Sequence, residues 1–218
     1  MTHKDFWNQN ADNWAQVIEQ NLIASRTITN AALLNEVLSL KPKFILDIGC
    51  GEGWLSQPII ESKIDYLGID GSSQLIEIAL RRGSFFQHIT YEQIINGWQP
   101  NQHPDLAILN FSLLDKDVEQ LLSAVSAFTA RDGKIIIQTL HPSNLPVYQD
   151  GWNEEDFKTM TIKFQGKMPW YGRTKESWLS VFDACNLKVD KITEPSLNDK
   201  FASIIFTLSH KEQLTTIS

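Results

Sequence analysis

Cysteine is scarce in this chain, with Cys50 and Cys185 the two thiols among 218 residues. Two thiols make neither a disulfide framework nor a zinc pattern, and the simpler reading is reduced cysteines in a cytoplasmic protein. Positive charge is short as well: 19 Lys and Arg face 26 Asp and Glu, a net charge of -7. That argues against a broad basic footprint for nucleic acid or an anionic membrane, while leaving room for a small local patch. No apolar run approaches the roughly 20 residues that span a bilayer. The opening segment Met1-Thr2-His3-Lys4-Asp5-Phe6-Trp7-Asn8 lacks the apolar stretch of a secretory leader. Internal repeats and low-complexity tracts are missing too. The apolar share of 42% and charged share of 21% are ordinary for a globular protein, and the length suits one α/β core over residues 1–218.

What the chain does have is alternation. Helical periodicity covers residues 5–22 and 28–39, an amino-terminal helical cap over 1–40, stopped by Lys41-Pro42. Short apolar strands are predicted at Phe44–Ile48, Tyr66–Asp70, Phe85–His88, Asp105–Asn110 and Gly133–Thr139. Helices are predicted from the glycine loop to Ser62, over Gln74–Arg82 and over Val118–Ala130. Strands alternating with helices imply a parallel sheet covered on both faces. This core spans residues 41–140. The rhythm breaks over 141–173, where Pro142, Pro146, Gly151, Gly166, Pro169 and Gly172 sit among aromatics, as in an insertion or lid. A helix resumes over 174–185, then two strands over 187–192 and 201–209. Their linker of about eight residues is too short for a crossover helix, so the pair is expected to be antiparallel.

The strongest motif is Ile45-Leu46-Asp47-Ile48-Gly49-Cys50-Gly51-Glu52-Gly53. A glycine-rich turn between strand and helix lets a ligand approach bare backbone. Trp54 stands where a dinucleotide fingerprint has its third glycine, and Asp47 and Glu52 would repel a pyrophosphate but suit a cationic ligand. Asp70 ends the second strand about twenty residues on, where a carboxylate accepts from ribose hydroxyls. Together these fit an adenosine-bearing ligand without a phosphate chain.

With Tyr66-Leu67-Gly68-Ile69-Asp70, the run from Asp105 to Leu114 and the run from Asp132 to Pro142, the chain resembles class I S-adenosylmethionine-dependent methyltransferases of the broad type 11/12 group. The resemblance spans residues 40–210. It implies a Rossmann-like, doubly wound, seven-stranded sheet, mostly parallel with an antiparallel carboxyl-terminal strand and helices on both faces. It implies S-adenosylmethionine as cofactor, S-adenosylhomocysteine as product, and O- or N-methylation of a small-molecule acceptor. Carried over, Asp47, Gly49, Gly51 and Gly53 line the methionyl end and Asp70 the ribose; Cys50, which also reads as a small packing residue, and Gly71 and Ser72, which also read as turn and helix cap, are further cofactor-binding candidates. Tyr91 is a candidate to stack on adenine, with His88 or Thr90 at its edge; Asn110 is placed beside the cofactor or, equally, caps a turn. A silent cofactor-binding regulatory protein and a nicotinamide-dependent oxidoreductase are the alternatives.

Acceptor candidates are Tyr148, Trp170, Tyr171 and Arg173, although the aromatics of 141–173 suit a dimer surface as well as a pocket, so monomer and homodimer both stand. Trp7 and Trp14 either close over the cofactor or pack on the sheet. His141 is the candidate general base, needed only for an acceptor that must lose a proton; the competing reading is a turn residue bonded to backbone. No metal ligand set is expected.

Overall fold

The computed structural model describes residues 2–212. Three helices open it: α1 (His3–Gln9), α2 (Ala11–Glu19) and α3 (Arg26–Ser39). The single helix expected over 5–22 is broken at Asn10, whose buried side chain competes for backbone groups. Its Nδ2 donates to Phe6 O at 2.9 Å and Gln165 O at 3.0 Å, and its Oδ1 accepts from Gln165 N at 2.7 Å. One amide thus ends a helix and ties it to a distant turn.

The alternating core follows as β1 (Phe44–Ile48), α4 (Ser56–Glu61), β2 (Asp65–Asp70), α5 (Ser73–Ala79), β3 (Phe86–His88), α6 (Tyr91–Ile95), β4 (Leu106–Asn110), α7 (Glu119–Phe128) and β5 (Lys134–Thr139). Residues 141–173 hold an antiparallel hairpin of β6 (Gly151–Glu155) and β7 (Met168–Gly172). Then come α8 (Lys175–Ala184), β8 (Leu187–Thr193), a small hairpin of β9 (Ser196–Leu197) and β10 (Lys200–Phe201), and β11 (Ile204–His210).

The main sheet has seven strands in the order β3-β2-β1-β4-β5-β11-β8. β1 to β5 run parallel, and β11 is antiparallel to both β5 and β8. This is the Rossmann-like arrangement that the sequence implied. The last strand begins at Ile204 rather than Phe201 because the linker forms its own two-residue turn, with Asn198 and Asp199 at φ 51° and 60°.

Period-two alternation on β1 sends neighbouring side chains to opposite faces. Ile45 joins Leu33, Val37, Ile59 and Ile76 beneath α3, α4 and α5. Leu46 and Ile48 join Leu121, Leu122, Val125 and Phe182 beneath α7 and α8. A third cluster lies apart from both: Phe6, Phe157 and Met168 with Trp7, Trp14, Met160 and Trp170, where α1 and α2 meet the β6–β7 hairpin. Sheet order reverses between β1 and β4, which opens a crevice at the carboxyl ends of the strands. Among the described residues no helix is long and apolar enough to cross a membrane.

Candidate functional site

β1 ends by feeding Asp47 into the crevice and turning at Gly49. The turn is strapped to β2, since Ile69 O accepts from both Gly49 N (2.8 Å) and Cys50 N (3.0 Å). Gly49 has φ +76°, and a Cβ there would sit 2.4 Å from Ser112 Cβ, so only glycine fits. Gly51 is different. At φ +59° its missing Cβ faces open space, with Trp14 Nε1 the nearest atom at 3.9 Å, so this stretch of backbone is bare to the cavity. Gly53 instead packs against Phe86 and does not line the cavity.

The cavity measures about 700 Å³, within the roughly 300–1,000 Å³ of small-molecule sites. One end holds three carboxylates. Asp47 is 2% exposed; its Oδ2 accepts from Tyr66 Oη at 2.7 Å, and its Oδ1 has no partner among the described residues. Burial pushes its pKa up to about 7; Asp70 and Glu52 add to the rise, and the Tyr66 hydroxyl opposes it. Glu52 is equally buried, with Oε1 unpartnered among the described residues. Burial raises it too, against the pull of Arg26 and Arg82. Asp70 closes β2, its Oδ2 accepting from Gly51 N (2.9 Å) and its Oδ1 from Ser72 N (2.7 Å). Burial raises Asp70, and those two N–H groups hold it down.

Arg26, the first residue of α3, also lines this end. Its guanidinium lies 5.7 Å from the Trp14 ring and 5.4 Å from the Trp54 ring, and its buried Nε has no partner among the described residues. Sequence reasoning passed over Arg26. The available signal was a cation in the first turn of a helix, where the macrodipole disfavours it.

Further along the wall, Gly71, Ser72, Thr90 and Tyr91 follow β2 and β3. Thr90 and Gln93 form a capping box that starts α6, a helix not anticipated although the Thr-x-x-Gln spacing announces it. Tyr91 Oη donates to Ser112 O at 3.0 Å, which fixes the ring in the wall. His88 is turned to Gly71 O at 3.1 Å and does not line the cavity. From β4, Asn110 lines it with Oδ1 unpartnered among the described residues. The next residue, Phe111, holds φ +52°, a rare geometry for an aromatic that bends the chain at the cavity edge.

The opposite end is built from α1, the loop after β4 and the hairpin. Trp7, Phe157, Met160, Met168, Trp170 and Tyr171 line it. His3 reaches Pro169 O with Nε2 (2.6 Å) and Asp115 Oδ2 with Nδ1 (3.2 Å).

Three acceptor-side expectations need correction. His141 does not line the cavity, although Thr139 and Leu140 do. Its Nδ1 accepts from Ser143 N at 3.1 Å, its Nε2 is 3.2 Å from Glu194 Oε1, and its ring stacks on Phe201. With the accepting nitrogen filled by the turn it caps, it has no free lone pair for a substrate proton. Tyr148 is an exposed side chain donating to Glu176 Oε2 at 2.8 Å, away from the cavity. Arg173 is buried outside the cavity, between Tyr171 and Trp178, and donates to Asp115 O and Lys116 O. It braces the loop after β4 rather than facing a ligand.

The arrangement offers bare backbone, buried carboxylates and one stacked guanidinium at one end, and an aromatic chamber at the other. Known proteins share the fold. Magnesium protoporphyrin IX methyltransferase from Synechocystis PCC 6803, solved with bound SAH, superposes with a TM-score of 0.69 at 15% identity, over 95% of this chain and 98% of that one. A putative S-adenosylmethionine dependent methyltransferase from Listeria monocytogenes gives 0.66 at 16% identity, over 85% and 100%. Trans-aconitate 2-methyltransferase from Acidovorax ebreus is 29% identical over 102 residues, 46% of this chain and about two fifths (39%) of that protein's length. The family model described as "Methyltransferase domain" matches residues 21–192. The chain therefore belongs to the methyltransferase-domain family.

Proposed function

We propose that the protein transfers a methyl group from S-adenosylmethionine to a small-molecule acceptor by direct displacement. The observation that carries this reading is a set of buried atoms without partners among the described residues, all on side chains of residues that line one end of the cavity: Asp47 Oδ1, Glu52 Oε1 and Arg26 Nε. Buried polar atoms without partners are costly unless a ligand supplies them. A zwitterionic aminoacyl group is complementary to this set, its ammonium to the two carboxylates and its carboxylate to the guanidinium edge.

Asp70 fits the ribose. Each of its oxygens accepts one backbone N–H, which leaves a lone pair apiece for a hydroxyl. Gly71 and Ser72 follow it along the same wall, and Tyr91 offers a ring face to adenine. Cys50 lines the loop as a buried thiol whose pKa burial raises, so it acts as a packing residue and not as a nucleophile. The bound cofactor supplies an electrophilic methyl group on a sulfonium, a good leaving group. The protein's task is alignment: holding the acceptor in line over that carbon supplies roughly 7–11 kcal/mol through proximity. Trp170 and Tyr171 belong to the wall that positions the acceptor.

Calorimetric titration with S-adenosylmethionine, S-adenosylhomocysteine and NAD tests the reading. The first two bind and NAD does not; Arg26→Met weakens both about 10- to 100-fold, as loss of a charged hydrogen bond predicts. Tight NAD binding, or no heat from any of the three, overturns it.

A further inference from the structure

We infer that the acceptor is an uncharged, ring-bearing molecule and that the acceptor end is built against polycarboxylates. This deepens the reading above and rests on it. The carrying observation is the placement of cations. Among the described residues, the Lys, Arg and His side chains lining the cavity are His3, Lys4 and Arg26. Arg26 lies beside Glu52 with its guanidinium against the Trp14 and Trp54 rings; Trp14 edge-packs on Trp7 and Phe157, so Arg26 stands one ring from the chamber, and the proposed cofactor carboxylate engages it there. Both nitrogens of His3 already face acceptors, Pro169 O and the Asp115 carboxylate, so it has no donor left for a ligand anion. Lys4 is exposed. Arg173, the one buried guanidinium near the hairpin, is turned to backbone carbonyls.

Beside Thr2, Asp115, Thr139, Glu155 and Thr159, the lining at this end is mainly apolar. Phe157 and Met168 are buried, Trp7, Met160 and Trp170 pack on them, and the Phe157 ring also stacks on Phe6 and Phe164. Flat rings and thioethers pack against a ring, whereas a carboxylate brought into such a chamber loses hydration and meets no counter-charge. The Asp115 carboxylate, paired with His3, offers a ligand anion no counter-charge. Trans-aconitate, the tricarboxylate that one relative is named for, is thus a poor match for this chamber.

The test titrates the protein, saturated with S-adenosylhomocysteine, with three probes: 1-naphthalenemethanol, 1-naphthoate and trans-aconitate. The neutral probe is expected to bind at least about ten-fold tighter than naphthoate, with no heat from trans-aconitate. Trp170→Ala weakens the neutral probe by about three- to ten-fold, the scale of one lost ring contact, and leaves S-adenosylhomocysteine affinity unchanged. Met160→Arg, which plants a cation in the chamber wall, reverses the preference between the two naphthalenes. Carboxylate binding equal to or tighter than the neutral probe, or no binding of any probe, overturns the inference while the cofactor reading stands. Failure to bind S-adenosylhomocysteine in the first titration overturns the cofactor reading and this inference together.

Discussion

The two ends of the cavity are made by opposite means. The cofactor end is drawn mostly from one short stretch of chain, residues 47–72, on adjacent parallel strands whose register is fixed by the β1–β2 ladder. The acceptor end gathers α1, the loop after β4, the end of β5 and the β6–β7 hairpin, and coheres through ring packing and a few long-range bonds such as Asn10 to Gln165. Local backbone constraint shapes the polar end, and long-range ring packing shapes the other, mainly apolar one. Substitutions at the two ends should therefore fail differently.

The largest effect is expected at Gly49. Gly49→Val combines a disfavoured φ with a Cβ 2.4 Å from Ser112 Cβ, and should cost about 3–5 kcal/mol. Thermal denaturation should show a drop of roughly 6–20 °C, with cofactor binding lost. Unchanged melting would break the claim that this end depends on backbone geometry.

Next comes a paired comparison. Asp70→Ala removes the acceptor for two hydroxyls and should weaken S-adenosylhomocysteine about 100-fold or more. Asp115→Ala, at the other end, should leave that affinity within about two-fold. Equal losses would erase the distinction between the ends.

A pH effect sharpens it further. The Asp47 carboxyl is raised to about 7 in the folded protein from an ordinary value of 3.8. Folded protein thus binds more protons than unfolded between those values, and the contribution of Asp47 to stability is present below about pH 4 and lost as pH rises through 7. A ligand ammonium favours the ionised form, so binding below pH 7 expels a proton and affinity rises with pH until it levels off above about 7. Calorimetry at pH 6 in buffers of different ionisation enthalpy should detect the release, Asp47→Asn should diminish it, and at pH 8.5 it should vanish. A pH-independent affinity would show that Asp47 does not face the ammonium.

The same contrast explains what the sequence revealed. Asp47, Gly49, Gly51 and Asp70 form a contiguous strand–loop–strand unit, so their spacing carries their geometry. The parallel sheet followed from alternation and the antiparallel last pair from a linker too short for a crossover, while the seven-stranded Rossmann-like arrangement was implied by the family resemblance. His141, Tyr148 and Arg173 were legible as residues near the crevice in sequence, but not in direction. His141 caps its own turn, Tyr148 finds Glu176 and Arg173 finds carbonyls, and each choice depends on elements far along the chain. Arg26 escaped notice because its cavity role depends on Trp14 and Trp54 coming from separate segments. The break at Asn10 was hidden for the same reason, since its partner is Gln165.

The smallest predicted effect follows from that correction. His141→Ala should cost about 1 kcal/mol of stability through the lost cap and change cofactor affinity by less than about two-fold. A collapse of methyl transfer without a fall in stability would restore it as a base.

The most direct measurement is a crystal structure with S-adenosylhomocysteine. The account predicts ribose hydroxyls on Asp70, the amino group between Asp47 and Glu52, the carboxylate on Arg26 and the sulfur facing the aromatic chamber. A ligand seated elsewhere, or one whose carboxylate turns from Arg26 while Asp47 and Glu52 keep unpartnered oxygens, would contradict it.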